Sequence, residues 1–343
     1  MRSAPSPECA ICGSKGMTLH ADLPDRLFAA KGNWRLSRCV NPECRLLWLD
    51  PMPLVGDLGL AYAGYYTHHS GEVAKGRGGL RRIYARIKAD YIARTYGYPV
   101  IRGKAKWLNT GFLLRFWPTR REDVDCELRY LDVMPGGKLL DVGCGSGDWM
   151  AQMKERGWEV WGVDFDPQAV QTARNRGLRV EQGSLEGQRY ETGSFDAIVL
   201  NHVIEHVPDP RSTLGECHRL LKPGGKLALF TPNANSLGHW VFRRNWRGLE
   251  IPRHLHILSP AAARSLLAQA GFGEVRVRTV NSNYVWRMSS QLQFQNGTGL
   301  AGARAGLGIR IIAGILTSIE QVALVVLPDA GECLAAEAWK NAT

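Results

Sequence analysis

The run Leu139-Leu140-Asp141-Val142-Gly143-Cys144-Gly145-Ser146-Gly147 restricts the fold more than any other part of this 343-residue chain. An apolar stretch of strand length passes into three alternating glycines, and helix-compatible residues follow from Asp148. Glycine lets the backbone turn tightly and approach a ligand closely, because no Cβ intrudes. The N-terminus of the following helix offers unpaired N–H groups and positive potential to a carboxylate or phosphate. A tight strand-to-helix turn beside a chance acid is the plain alternative.

Seven short apolar runs read as strands: Lys138 to Val142, Glu159 to Val163, Arg179 to Gln182, Phe195 to Leu200, Lys226 to Thr231, Glu274 to Val280 and Glu332 to Trp339. Helical patterns alternate with them. Asp148 to Arg156 ends at Gly157, Asp166-Pro167 opens a helix that stops at Gly177, and Ser259-Pro260 opens one that stops at Gly271. The alternation predicts an α/β fold with a doubly wound, mostly parallel seven-stranded sheet. Asp164 closes the second strand about 20 residues beyond the glycine loop, where a carboxylate accepts hydrogen bonds from both ribose hydroxyls. The glycine spacing departs from the dinucleotide fingerprint G-x-G-x-x-G.

Residues 1-50 read as a zinc-ribbon-like module, 51-125 as a basic helical linker or lid, and 126-343 as the sheet domain with an insertion at about 285-328. The formal charge of +11 favours polyanions, phosphate-bearing substrates or an anionic membrane surface. Met1 to Glu8 has no apolar core, so no secretory signal is expected. Leu307 to Leu327 is broken by Arg310, Glu320 and Gln321, against the roughly 20 apolar residues of a spanning helix. Eight cysteines without a signal fit a reducing cytoplasm, which is the expected location, with peripheral membrane association as the alternative.

Asp141-Val142-Gly143-Cys144-Gly145-Ser146-Gly147, Gly162-Val163-Asp164, Phe195-Asp196 and Leu221-Lys222-Pro223-Gly224-Gly225 together resemble the successive motifs of the class I S-adenosylmethionine-dependent methyltransferases. The resemblance covers about residues 126 to 284 and the last strand. It implies a Rossmann-like methyltransferase fold with S-adenosylmethionine as cofactor. Asp141, Gly143, Gly145 and Gly147 would lie under the methionine part, Asp164 at the ribose, and Ser184 and Leu185 beside adenine. The family often carries an acid where Ser184 stands.

Asn201-His202-Val203-Ile204-Glu205-His206-Val207-Pro208-Asp209-Pro210 resembles the equivalent segment of the quinone-pathway O-methyltransferases and of the subfamily that methylates sugars and natural products, and it adds Asn201 and His202 to the cofactor side. His202, Glu205 and His206 at helical spacing suit a metal pair. The stronger reading has His206 bonding in a turn, Glu205 capping and His202 lining the pocket. Trp246 to His256 resembles the substrate-side insertion of the same subfamily, with its Pro-Arg-His-Leu element at Pro252 to Leu255. Trp240, Arg243, Arg244 and Arg247 place cations beside tryptophans, which suits a ring bearing phosphate; a solvated basic loop is the competing reading. His254 is the expected catalytic base, with His206 in reserve, since an imidazole titrating near 6.5 suits proton removal at neutral pH. Bracing of the loop by His254 is the alternative.

The resemblance favours O-methylation of a small molecule, either a sugar hydroxyl of a glycan precursor or a natural-product or quinone-like hydroxyl. The charge allows a phosphate-bearing or lipid-linked acceptor. An RNA methyltransferase is the second reading, against which Asn-Pro-Pro-Tyr is missing after the fourth strand, so nucleic acid is not the expected partner. A non-catalytic cofactor-binding scaffold is the third, against which the glycine loop is intact. Oligomerisation stays open. Leu80, Ile83, Tyr84, Ile87, Tyr91 and Ile92 share one helical face opposite Arg81, Arg82 and Arg86. That fits a core-packing helix with a basic outer face, a membrane-docking lid, or a nucleic-acid surface.

Cys9, Cys12, Cys39 and Cys44 form two closely spaced pairs a hairpin's length apart, the pattern of a structural zinc held by four thiolates. Buried unrelated cysteines and a redox dithiol at Cys9 and Cys12 are the alternatives. Elemental analysis of protein purified without chelator is expected to give about one zinc per chain. Replacing Cys9 and Cys12 by serine abolishes it; metal-free fresh protein refutes the zinc assignment.

Overall fold

The computed structural model describes residues 1–62, 79–99, 109–295, 300 and 305–342. The chain forms two compact units, one from Met1–Tyr66, Leu200–Arg219 and Leu229–Thr343, the other from Thr67–Val199 and Leu220–Ala228.

The main sheet has seven strands: β1 (Lys138–Val142), β2 (Glu159–Asp164), β3 (Arg179–Gln182), β4 (Phe195–Asn201), β5 (Leu221–Pro232), β6 (Glu274–Val280) and β7 (Cys333–Trp339). Their spatial order is β3-β2-β1-β4-β5-β7-β6. β1 runs parallel to β2, and β2 to β3, while β6 and β7 pair antiparallel from Glu274↔Trp339 to Val280↔Cys333. The chain winds outward from β1 to β3 and resumes at β4, so the strand order reverses between β1 and β4. Ligands of doubly wound sheets bind at such a reversal, outside the carboxyl ends of the strands. The expected doubly wound, mostly parallel sheet is present, and the strand positions match the apolar runs closely. β5 alone extends well beyond its expected limits.

Local chemistry explains the joints. Asp166 caps the helix Pro167–Asn175 by accepting from the N–H groups of Gln168 and Ala169. The Asp196 carboxylate accepts from the Lys138 N–H and the Lys222 ammonium at 2.8 Å each, which fastens the start of β4 to β1 and β5. Gly162 is required because a Cβ there would lie 2.7 Å from Cys144 Sγ and Met150 Sδ.

In the first unit a four-stranded antiparallel sheet has the order His256–Ile257, Leu47–Leu49, Asn33–Cys39, Gly16–Pro24. The insertion adds helices Asn283–Phe294 and Leu307–Ala323, joined by a bond from Trp286 Nε1 to Glu320 at 2.6 Å. The second of these helices leaves Leu307, Ile311, Ile315 and Ile319 exposed. Among the described residues no helix is long and apolar enough to cross a membrane.

The expected basic helix exists as Gly79–Tyr96. Its apolar face is covered only toward the C-terminal end: Ile92 and Tyr96 are buried, whereas Leu80 is 85% exposed and Ile83 is exposed too. Residues 75–78 and 100–108 of the basic stretch lie outside the described residues.

Gly147 has φ +77°, and a Cβ there would sit 2.3 Å from Leu178 Cδ1. Gly147→Ala is therefore expected to destabilise the protein by about 1–3 kcal/mol through strain and overpacking. Thermal melting checks this, and an unchanged Tm contradicts it.

Candidate functional site

The second unit holds the glycine loop. Gly143, Gly145 and Gly147 all have positive φ, at 72°, 54° and 77°. The loop folds onto Asp164, whose two carboxylate oxygens accept from Gly145 N–H at 2.8 Å and Asp166 N–H at 2.9 Å. Burial raises the Asp164 pKa above the usual carboxylate value despite these bonds. Burial likewise pushes Asp141 up to about 7, against the pull of the Arg129 guanidinium and with the push of Asp164. Arg129 itself is largely buried, lies over the Trp149 ring at 5.7 Å and donates to the Cys126 carbonyl at 2.7 Å. No sequence signal singles out this cation, because it precedes β1 in an irregular turn. Ser184 is exposed and Leu185 buried, and Phe165, next to Asp164, is exposed.

The first unit holds Asn201, His202, Glu205, His206 and His254. Glu205 is fully buried, with Oε1 3.1 Å from His202 Nδ1 and Oε2 accepting from Thr231 Oγ1 at 3.1 Å. Burial works to raise its pKa, but the bond from His202 and the nearby histidine charges hold it at about 2. Glu205 therefore orients His202 rather than capping a helix. The His202 side chain is 47% exposed, and its backbone has φ +56°.

His254 is buried. Its Nδ1 lies 2.7 Å from the Gly248 carbonyl, and its Nε2 faces Glu250 at 3.5 Å and Glu205 at 4.0 Å. His206 Nδ1 lies 3.0 Å from both the Arg253 carbonyl and the Tyr62 hydroxyl. Glu205, His206 and His254 each offer a ligand atom within 4.8 Å of the others, so these three can hold an ion. His256 bonds the Pro208 carbonyl at 3.3 Å.

Backbone pairing sets the position of His254. Leu255 N–H donates to the Glu205 carbonyl at 2.7 Å, Leu49 N–H donates to the Leu255 carbonyl at 3.1 Å, and His256 and Ile257 pair with Trp48 and Leu47. Arg253 is buried between Asp25 at 2.9 Å and Glu250 at 3.2 Å, and donates to the Ala61 carbonyl at 2.8 Å. Of the expected insertion cations, Arg247 is instead paired with Glu250, and Trp246 is buried against Glu332.

The four cysteines converge. Cys9 and Cys44 sulfurs lie 3.6 Å apart, Cys12 and Cys39 sulfurs 3.4 Å, and all four fall within 4.8 Å of one another. Thiolates 2.3 Å from a tetrahedral zinc sit about 3.8 Å apart, so the set fits that ion. Gly13 at φ +70° and the bonds from Gly13 N–H to Cys9 and from Cys44 N–H to Asn41 form the two knuckles.

Residues 111–276 match the methyltransferase domain family. A ubiquinone biosynthesis O-methyltransferase of Xanthomonas oryzae pv. oryzae is 44% identical over 109 residues, covering 29% of this chain and 45% of that protein. Its namesake from Pseudomonas aeruginosa is 37% identical over 109 residues, covering 30% and 47%. The chain thus spans about half the length of the curated relatives it matches. A solved structure of a SAM-dependent methyltransferase, possible histamine N-methyltransferase, from Thermotoga maritima is 21% identical, with 67% of this chain and 92% of that one covered at a TM-score of 0.43.

Burial lowers His254 and His256 to about 4, below the ordinary 6.5. The unfolded chain then binds protons that the folded chain refuses, so this stability is full above 6.5 and falls as pH drops toward 4. Asp141 and Glu332, pushed up to about 7, act with the opposite sign over the same range, so the imidazoles themselves are the readout: NMR is expected to show His254 and His256 neutral down to about pH 5. Protonation of both near 6.5 contradicts their burial.

Proposed function

We propose that this protein, whose residues 111–276 match the methyltransferase domain family, transfers a methyl group from S-adenosylmethionine to a hydroxyl oxygen of a small-molecule acceptor. The observation that carries the oxygen-directed reading is a half-exposed imidazole, His202, held by a fully buried carboxylate, Glu205. The curated relatives, named ubiquinone biosynthesis O-methyltransferases, support the same chemistry with a quinone-like ring hydroxyl as acceptor; a sugar hydroxyl is the second candidate.

S-adenosylmethionine, when bound, supplies an electrophilic methyl group on a sulfonium. The donor set of the second unit suits that molecule: Arg129 would complement its carboxylate, Asp141 its ammonium, and Asp164 its ribose hydroxyls, with Gly145, where a Cβ would face open space, leaving room for it. In the first unit, His202 Nδ1–H donates to Glu205, so Nε2 is left as the proton acceptor. Removing the hydroxyl proton there sharpens the oxygen as a nucleophile, and the Glu205 charge stabilises the imidazolium that forms. His254 is a weaker base, because burial keeps its pKa near 4 and its Nδ1 is engaged. It positions the insertion, and His206 braces the same turn. The zinc is structural in this reading, since all four of its positions are thiolates and none is left for water.

Calorimetry with S-adenosylmethionine tests the cofactor without an acceptor, and absence of binding overturns the reading. With labelled methyl groups and a hydroxyl acceptor, His202→Ala is expected to lower kcat by about 10²–10⁴ while cofactor affinity holds. If His254→Ala has that effect and His202→Ala does not, the base is His254.

A further inference from the structure

The first unit contains a cleft of about 1010 Å³ that methyl transfer leaves unused. Its wall brings Arg38 and Arg45 of the cysteine module together with Arg243 and Arg244 of the insertion. All four are exposed, and among the described residues none has a carboxylate within ion-pair distance. Asp329, the one acid on the wall, lies 4.0 Å from Arg264. Beside the arginines stand Trp240, 76% exposed, and the exposed Val326 and Leu327.

We propose that this cleft binds an organic phosphate: the arginines take the phosphate and the exposed Trp240, Val326 and Leu327 take the apolar or ring-bearing body. Guanidinium groups match phosphate oxygens in a planar fork, and an unbalanced cluster of them stores no internal ion pair that must break first. The histidines in the cleft report the same field. Burial, and then the charges of His239, Arg244 and Arg243, lower His20 to about 4. Burial and the Arg38 charge lower His239 as well. His20 Nε2 lies 3.4 Å from His239 Nε2, so both rings resist a second positive charge until an anion arrives. The site is independent of the base in methyl transfer; the sequence marks its Trp240, Arg243 and Arg244 side, while Arg38 and Arg45 join from about 200 positions away.

Two sources carry this chemistry, a soluble phosphate ester and a phospholipid headgroup. Binding of phenyl phosphate and of inorganic phosphate, followed by Trp240 fluorescence and calorimetry at about 0.1 M salt, tests the first. Flotation with phosphatidylglycerol vesicles against phosphatidylcholine vesicles tests the second. The proposal expects phenyl phosphate to bind more tightly than inorganic phosphate, or anionic vesicles alone to be bound. Either ligand is expected to raise the His20 pKa, read by imidazole NMR. Arg243→Glu with Arg244→Glu should weaken binding at least about tenfold, with Tm and zinc content unchanged. Because S-adenosylmethionine binding is measured separately on the same protein, loss of the cleft and failure of the methyltransferase reading are told apart. No binding of any of these ligands, or equal binding by the charge-reversed protein, overturns the proposal.

Discussion

A guanidinium with no exposed side-chain surface, that of Arg253, ties three segments of the first unit together. Removing such a charge from water costs several kcal/mol, and only close, well-directed acids and carbonyls offset it. Asp25, Glu250 and the Ala61 carbonyl do so here. The segment carrying His254, the connection between strands Gly16–Pro24 and Asn33–Cys39, and the short helix Val55–Tyr62 are consequently one electrostatic assembly. With Arg247 also drawn to Glu250, the cluster has little use for another cation, in keeping with a neutral His254.

The motif residues divide into two groups once their partners are known. Asp196, Gly162 and Cys144 are consumed by the fold: the first ties three strand beginnings together, and the other two fill a contact that admits no extra atom. Asp141 and Asp164 are different. Burial outweighs their partners and raises both pKa values, the kind of perturbation that clusters at functional sites.

What was legible in the sequence was local. Strands with buried faces read as apolar runs, caps and prolines marked the helices, and paired cysteine spacings announced their own convergence. The division of labour among His202, His206 and His254 was not legible. It depends on which ring is covered and which carboxylate lies behind it, and Thr231, Asp25 and Tyr62 contribute from distant positions with no pattern of their own. Periodicity likewise found the helix at Gly79–Tyr96 but not how much of its apolar face is covered, because coverage belongs to the neighbour rather than to the helix.

The four-stranded sheet takes three strands from the first 49 residues and its last from His256–Ile257. On a ribosome adding about 5–20 residues per second, the cysteine module emerges roughly 10–40 s before the strand that completes it. Throughout that interval the edge at Leu47–Leu49 presents unpaired N–H and C=O groups, a template for wrong partners. An ion already gripped by the four thiolates would keep the early strands from unravelling during the wait. Its service would then be chiefly to the nascent chain, whose closing pairing spans most of the polypeptide and is correspondingly slow to find.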